Sequence, residues 1–123
     1  MSYTINFVHK SDYLHVTVVG ENLPENVKDY LIETERACTE YGFRKVLIEE
    51  NLQGPTFSTL DIFEVILVSS KTRSPWVQAV AFVDLNPEHD PEGMRFAETV
   101  ARNRGINVRV FATVEEAEKW LQA

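Results

Sequence analysis

From Arg44 onward, short continuous apolar runs alternate with longer segments whose apolar residues recur every three or four positions. No other feature constrains the fold as strongly. A strand, a helix and a second strand in succession form a crossover, which returns the chain to the same end of the sheet and makes the two strands parallel. Buried strands are expected at Arg44–Glu50, around Val46-Leu47-Ile48, at Trp76–Asp84, which is apolar on both parities apart from Gln78, and at the short Asn107–Phe111. Continuous apolar runs of this kind suit strands covered on both faces.

The helical segments carry their own start and stop signals. Pro24 suits a first helical position, Val27, Tyr30, Leu31, Thr34, Cys38 and Tyr41 follow at helical spacing, and Gly42 is placed to terminate the run. Asn51–Phe57, with Gly54-Pro55, reads as a loop. Ser58 followed by Asp61 is a variant of the capping box and opens a helix to about Lys71. Asp90-Pro91-Glu92 opens a third helix that Gly105 closes, and Thr113 with Glu116 caps a last one bearing Ala117, Trp120 and Leu121 on one stripe.

Ahead of these units lie two segments with strict alternation, Tyr3–His9 and Tyr13–Val19. Joined by Lys10–Tyr13 as a loop, they form a hairpin in which Phe7 opposes Val16 and Ile5 opposes Val18. That register places both apolar sets on one face. The full order is ββαβαβαβα: one α/β domain over residues 1–123, with a mainly parallel sheet and an antiparallel hairpin at its N-terminal edge.

Composition narrows the function classes. Hydrophobic residues make up 44% and charged residues 25%, which is incompatible with a disordered chain. No apolar run approaches the roughly 18 residues needed to span a bilayer, and Met1–Asp12 lacks the apolar core of a signal peptide. A cytoplasmic, not membrane-spanning protein is expected. Twelve basic residues against 19 acidic ones, a net charge of −7, argue against nucleic acid as a partner. Cys38 is the sole cysteine, so no internal disulfide or multi-cysteine zinc motif exists.

Few residues suggest chemistry. His9, His15 and His89 show no ligand spacing and read as surface or edge histidines. Cys38 shares a stripe with Val27 and Leu31 and reads as a small buried hydrophobe. No phosphate-loop or nucleophile-elbow motif is present. The carboxylates are more suggestive: Glu49 and Glu50 end one strand, Asp84 ends the next, and Asp61 and Glu64 lie on the intervening helix. Strand C-termini are where α/β domains gather their sites. On that helix Leu60, Phe63, Ile66 and Leu67 form the expected core stripe, leaving Val65 and Val68 among polar residues. The two valines are then part of a contact patch, or a neighbouring helix covers them.

Taken together the elements resemble the SpoIIAA-like branch of the STAS superfamily (STAS/SEC14-like) over essentially the whole chain. The resemblance is carried by Lys45-Val46-Leu47-Ile48, by the run from Asn103-Arg104-Gly105 through Val110-Phe111, and by Glu115-Glu116-Ala117 with Trp120-Leu121. These are packing and capping residues, so they speak to fold before activity. The resemblance implies strands in sequential order, helices wound as a βα superhelix, and the hairpin at an edge. Classical members are non-enzymatic anti-sigma-factor antagonists, phosphorylated on a serine of an Asp-Ser-Ser/Thr-Gly motif where the helix after the third strand begins. The matching stretch here is Phe57-Ser58-Thr59-Leu60-Asp61, with Ser58 and Thr59 in place but without the preceding aspartate and following glycine. Other STAS-like domains resemble sensors that hold a small molecule or lipid between sheet and helices. Phe57, Trp76 and Phe82, together with Tyr3 and Phe7, are the aromatics expected to line such a pocket.

The expected function is a non-enzymatic STAS-like regulatory or binding module, with no catalytic residue, metal or cofactor. It would recognise a protein partner, a second copy included, or a small apolar ligand. Its candidate interaction surface is Ser58, Thr59, Asp61, Val65 and Val68. The alternative is a small enzyme or ion-binding protein using Glu49, Asp61 and Asp84.

Overall fold

The computed structural model describes residues 2–123. Five strands and four helices follow in the order β1 (Tyr3–His9), β2 (Leu14–Glu21), α1 (Pro24–Tyr41), β3 (Lys45–Gln53), α2 (Thr59–Thr72), β4 (Ala79–Asp84), α3 (Pro91–Asn103), β5 (Val108–Phe111) and α4 (Val114–Gln122). The strands lie in sequential order, β1-β2-β3-β4-β5, with β1 antiparallel to β2 and the other pairs parallel. The hairpin has the expected register, Ile5 opposite Val18 and Phe7 opposite Val16.

Strand parity sorts the sheet into two faces. Leu14, Val16 and Val18 of β2 and Val46, Ile48 and Leu52 of β3 are buried on the inner face, in one cluster with Val27, Tyr30 and Cys38 of α1 and Val65 of α2. The residues of opposite parity, Leu47, Ala81 and Val83, pack beneath Ala117 and Leu121 of α4. Burying about ten large side chains at roughly 1.5–3 kcal/mol each makes this inner cluster the main source of stability. The thiol of Cys38 is fully buried there, and burial, with a smaller contribution from Glu35, pushes it up to about 12. It is an inert core group.

Several element boundaries differ from expectation for tertiary reasons. β3 continues through Asn51 and Leu52 to Gln53 instead of turning into a loop, because β2 runs on to Glu21 and pairs with it residue for residue. Leu52 is fully buried as a result. β4 begins at Ala79 and not at Trp76. Ahead of it the chain turns, with the Trp76 N–H donating to Ser74 Oγ at 3.2 Å and the Trp76 ring lying under the Arg44 guanidinium at 3.7 Å. Tyr41, expected on the α1 stripe, is exposed and packs against His9 instead.

The largest departure is the facing of α2. Leu60 is 68% exposed and Phe63 39%, whereas Ile62 and Val65 are buried. The inward stripe is Ile62, Val65, Ile66 and Ser69, so the helix is rotated from the expected orientation. Val65 is therefore a core residue and not part of a surface patch, and Val68 is half-buried. The physical reason lies in the neighbours. From Leu60 to Val68 only Asp61 and Glu64 interrupt the apolar residues, so periodicity fixes the facing of the helix weakly. Glu64 turns toward Lys28 of α1 at 3.9 Å, and Arg104, past the end of α3, lies over the Phe63 ring.

Candidate functional site

Between the inner face of the sheet and helices α1, α2 and α3 lies a cavity of about 180 Å³. Its floor is Val46, Ile48, Val80 and Phe82, its walls include Leu31, Ile62, Val65 and Ala97, and Phe57 closes it near the start of α2. Phe57 and Phe82 both line it. Trp76 does not line it, being held against Arg44 in the turn before β4. Tyr3 and Phe7 belong to the packed core, with Tyr3 set edge-on against Tyr30.

The cavity is apolar along most of its length but ends in charge. Glu50 and Asp84 are register partners on β3 and β4 and share the inner face at the C-terminal ends of these strands. Glu50 is only 5% exposed. One of its carboxyl oxygens accepts from the Tyr30 hydroxyl. Burial raises its carboxyl to about 7, with the Asp84 charge adding to the rise and the Tyr30 hydrogen bond and His89 opposing it. The same burial, reinforced by Glu50, pushes the Tyr30 hydroxyl well above its ordinary value.

His89 completes the group from the loop after β4. Its Nδ1 lies 2.7 Å from Asp84 Oδ2 and its Nε2 lies 2.9 Å from the Gly54 carbonyl oxygen. Both of these partners are pure acceptors, so a ring that bonds both carries a proton on each nitrogen and is a cation. The Asn86 and Asn22 amide nitrogens stand farther from Nε2, at 3.4 and 3.5 Å. Burial opposes that charge, but the Asp84 and Gly54 hydrogen bonds outweigh it and raise the pKa above the ordinary value. The loop geometry is fixed by Asp84 Oδ1, which accepts from the Asn86 backbone N–H at 3.0 Å, and by Asn86 Nδ2, which donates to the Leu52 carbonyl at 2.8 Å. Gly54 presents its carbonyl from a backbone φ of +128°, which L side chains rarely adopt.

The Glu49, Asp61 and Asp84 constellation is not assembled. Glu49 points to the opposite face of the sheet, where His15 Nε2 lies 3.0 Å from its carboxylate. Asp61 sits in the first turn of α2, and its backbone N–H donates to Ser58 Oγ at 3.1 Å. Only Asp84 joins the cavity, with Glu50, Tyr30 and His89 as its neighbours in place of the expected partners. Among the described residues no group of three His, Cys, Asp or Glu side chains is arranged to hold a metal ion. Glu50 was legible in principle, since it continues the parity of Val46 and Ile48. His89 was expected at the surface but has only 6% of its side chain exposed. No local pattern marks a loop histidine for burial.

Ser58 is the N-cap of α2, and Thr59 beside it is exposed. Ser58→Ala should lower stability by about 1 kcal/mol in urea titration, and Ser58→Asp, which keeps an acceptor, should stay near wild type. A Ser58→Ala protein as stable as wild type would remove the capping role.

The whole architecture is shared with known structures. It superposes on an anti-sigma factor antagonist from Mycobacterium paratuberculosis with a TM-score of 0.63, over 99% of this chain and 96% of that one, at 12% sequence identity. It also superposes on an uncharacterised protein of the DUF3478 family from Shewanella loihica PV-4, which has a SpoIIAA-like fold, with a TM-score of 0.53 over 98% and 94% of the two chains at 17% identity. This chain has a SpoIIAA-like fold. The resemblance read from Lys45–Ile48 and the closing run is thereby borne out at the level of fold, including the sequential strand order and the edge hairpin. No known family profile matches the sequence, and no curated protein does. Among the described residues no helix of this SpoIIAA-like chain is long and apolar enough to cross a membrane.

Proposed function

We propose that this chain is a non-enzymatic, cytoplasmic STAS-like module that takes a small apolar ligand into the cavity beneath α2. The observation that carries this reading is the cavity itself: about 180 Å³ bounded by aliphatic and aromatic side chains. Native interiors rarely leave such a space, and an engineered apolar cavity of about 150 Å³ takes up benzene. His89 supports a binding role over a catalytic one. With both nitrogens donating to fixed acceptors it has no lone pair to take a proton from a substrate.

The likeness to an anti-sigma factor antagonist supports the regulatory half of the proposal, in which occupancy is reported to a protein partner. The surface that fits this role is the start of α2, where Ser58, Thr59 and Asp61 surround the exposed Leu60 and Phe63. Val65, on the same helix, lines the cavity, so one element faces both the ligand and the partner.

The cavity reading is tested with n-alkanols from butanol to dodecanol in a thermal-shift series. A ligand at about 100 times its Kd stabilises the native state by about 2.7 kcal/mol. A rise in Tm of several degrees is expected, peaking at a middle chain length and absent in Ala97→Phe, which places a ring into the cavity. No rise at any length, or an equal rise in Ala97→Phe, would sink the proposal.

A further inference from the structure

The polar end of the cavity is more specific than its apolar walls. Glu50 is 5% exposed, one carboxyl oxygen is taken by Tyr30, and the other has no hydrogen-bond donor among the described residues. The carboxyl lines the cavity, so that free oxygen is offered to whatever occupies it. That oxygen keeps some access to the cavity, since among the described residues Trp76 Nε1 is the only fully buried side-chain polar atom without a partner. A donor carried in by a ligand would complete the hydrogen bonding of Glu50.

The charges around Glu50 decide what kind of donor fits. Asp84 and Asp90 also line this end, against the single cation His89. Both N–H groups of His89 are already directed at Asp84 and Gly54, so none is left to receive an anion. A carboxylate or phosphate head entering here would face the carboxyl groups of Glu50, Asp84 and Asp90, with the neutral Asn22 amide and Thr56 hydroxyl as side-chain donors. The other cation on the cavity wall, Arg73, follows the C-terminus of α2, whereas the Glu50 end lies by its N-terminus. Fourteen helical residues separate the two ends, about 20 Å of rise.

Resting on the cavity as a ligand site, we infer that its ligand is an aliphatic primary amine whose ammonium seats against Glu50 and whose chain runs beneath α2 along Ile48, Val80 and Phe82. An ammonium supplies that donor, favours the ionised form of Glu50 by pairing with it beside Asp84 and Asp90, and leaves the hydrocarbon to the apolar walls.

The test compares n-octylamine, n-octanol and octanoate by NMR titration of the Ile48, Ile62 and Val80 methyl groups. These side chains line the cavity, so nonspecific association of the amine with the acidic surface is not counted. Octylamine should bind at least tenfold more tightly than either of the others, and in Glu50→Gln that ratio should fall below twofold. Octylamine binding no better than octanol, or a preference that survives in Glu50→Gln, overturns the head-group assignment while leaving the cavity a ligand site. Cavity methyl groups unmoved by all three compounds would overturn both.

Discussion

Val65→Asp should abolish or nearly abolish folding at 25 °C, whereas Leu60→Asp, on the same helix, should leave stability within about 0.5 kcal/mol of wild type. Val65 is 5% exposed, in the core cluster with Val46 and Ile48. An unpaired carboxylate there loses its hydration without gaining a partner, a cost of about 3–5 kcal/mol or more against a total stability of about 5–15 kcal/mol. Leu60 is 68% exposed at the start of α2, where a negative charge is favourable to the helix dipole and offsets repulsion from Glu64 four residues on. Urea denaturation of the two variants measures the difference directly. A Val65→Asp protein within 1 kcal/mol of wild type, or a Leu60→Asp protein that unfolds, would show that α2 packs in the other orientation.

The second large effect is on the pH dependence of stability. Glu50 titrates at about 7 in the folded protein against 4.5 for an unhindered carboxyl, because burial penalises its charged form. Between those values the folded state holds a proton that the unfolded chain has released. The contribution of Glu50 is therefore fully present below 4.5 and is lost as the pH rises through 7, a fall of about 3 kcal/mol. His89 works in the same direction: its folded pKa is raised above 6.5, so its contribution is present below that value and fades above the folded one. The groups facing Glu50 are Tyr30 from α1, Asp84 from β4 and His89 from the loop. Glu50→Gln removes the Glu50 part while keeping an oxygen for the Tyr30 hydroxyl. At pH 8 the variant should exceed wild type by about 2–3 kcal/mol, and at pH 4.5 the two should coincide. Parallel stability profiles from pH 4.5 to 8 would mean that Glu50 does not titrate as its burial requires.

Both predictions turn on features that differ in how far the sequence reveals them. Signals between near neighbours were sufficient for most of the fold. Pro24 and Gly42 bound α1, Ser58 and Thr113 cap α2 and α4, and the alternation of Ile5 and Phe7 against Val16 and Val18 sets the hairpin register. Strand–helix alternation then pointed to a mainly parallel sheet, and the SpoIIAA-like resemblance implied the sequential strand order that the structure has. Phe57 and Phe82 line the cavity, whereas the turn before β4 places Trp76 under Arg44.

What only the tertiary structure decided is which way α2 faces and which charges meet. An α2 apolar on nearly every side has no strong period, so the closing of α1 and α3 around it chose Val65 for the core and Leu60 for the surface. Glu49 and Glu50 are equivalent as sequence, but a strand turns adjacent residues to opposite faces, giving Glu49 to His15 and Glu50 to the cavity. Glu50 then meets Asp84 through the β3–β4 register, and His89 reaches them because its loop folds back to the Gly54 carbonyl. Capping and periodicity act between residues a few positions apart and can be read along the chain. The charged end of the cavity arises from strand register and loop closure, contacts between distant segments that exist only once the sheet has formed.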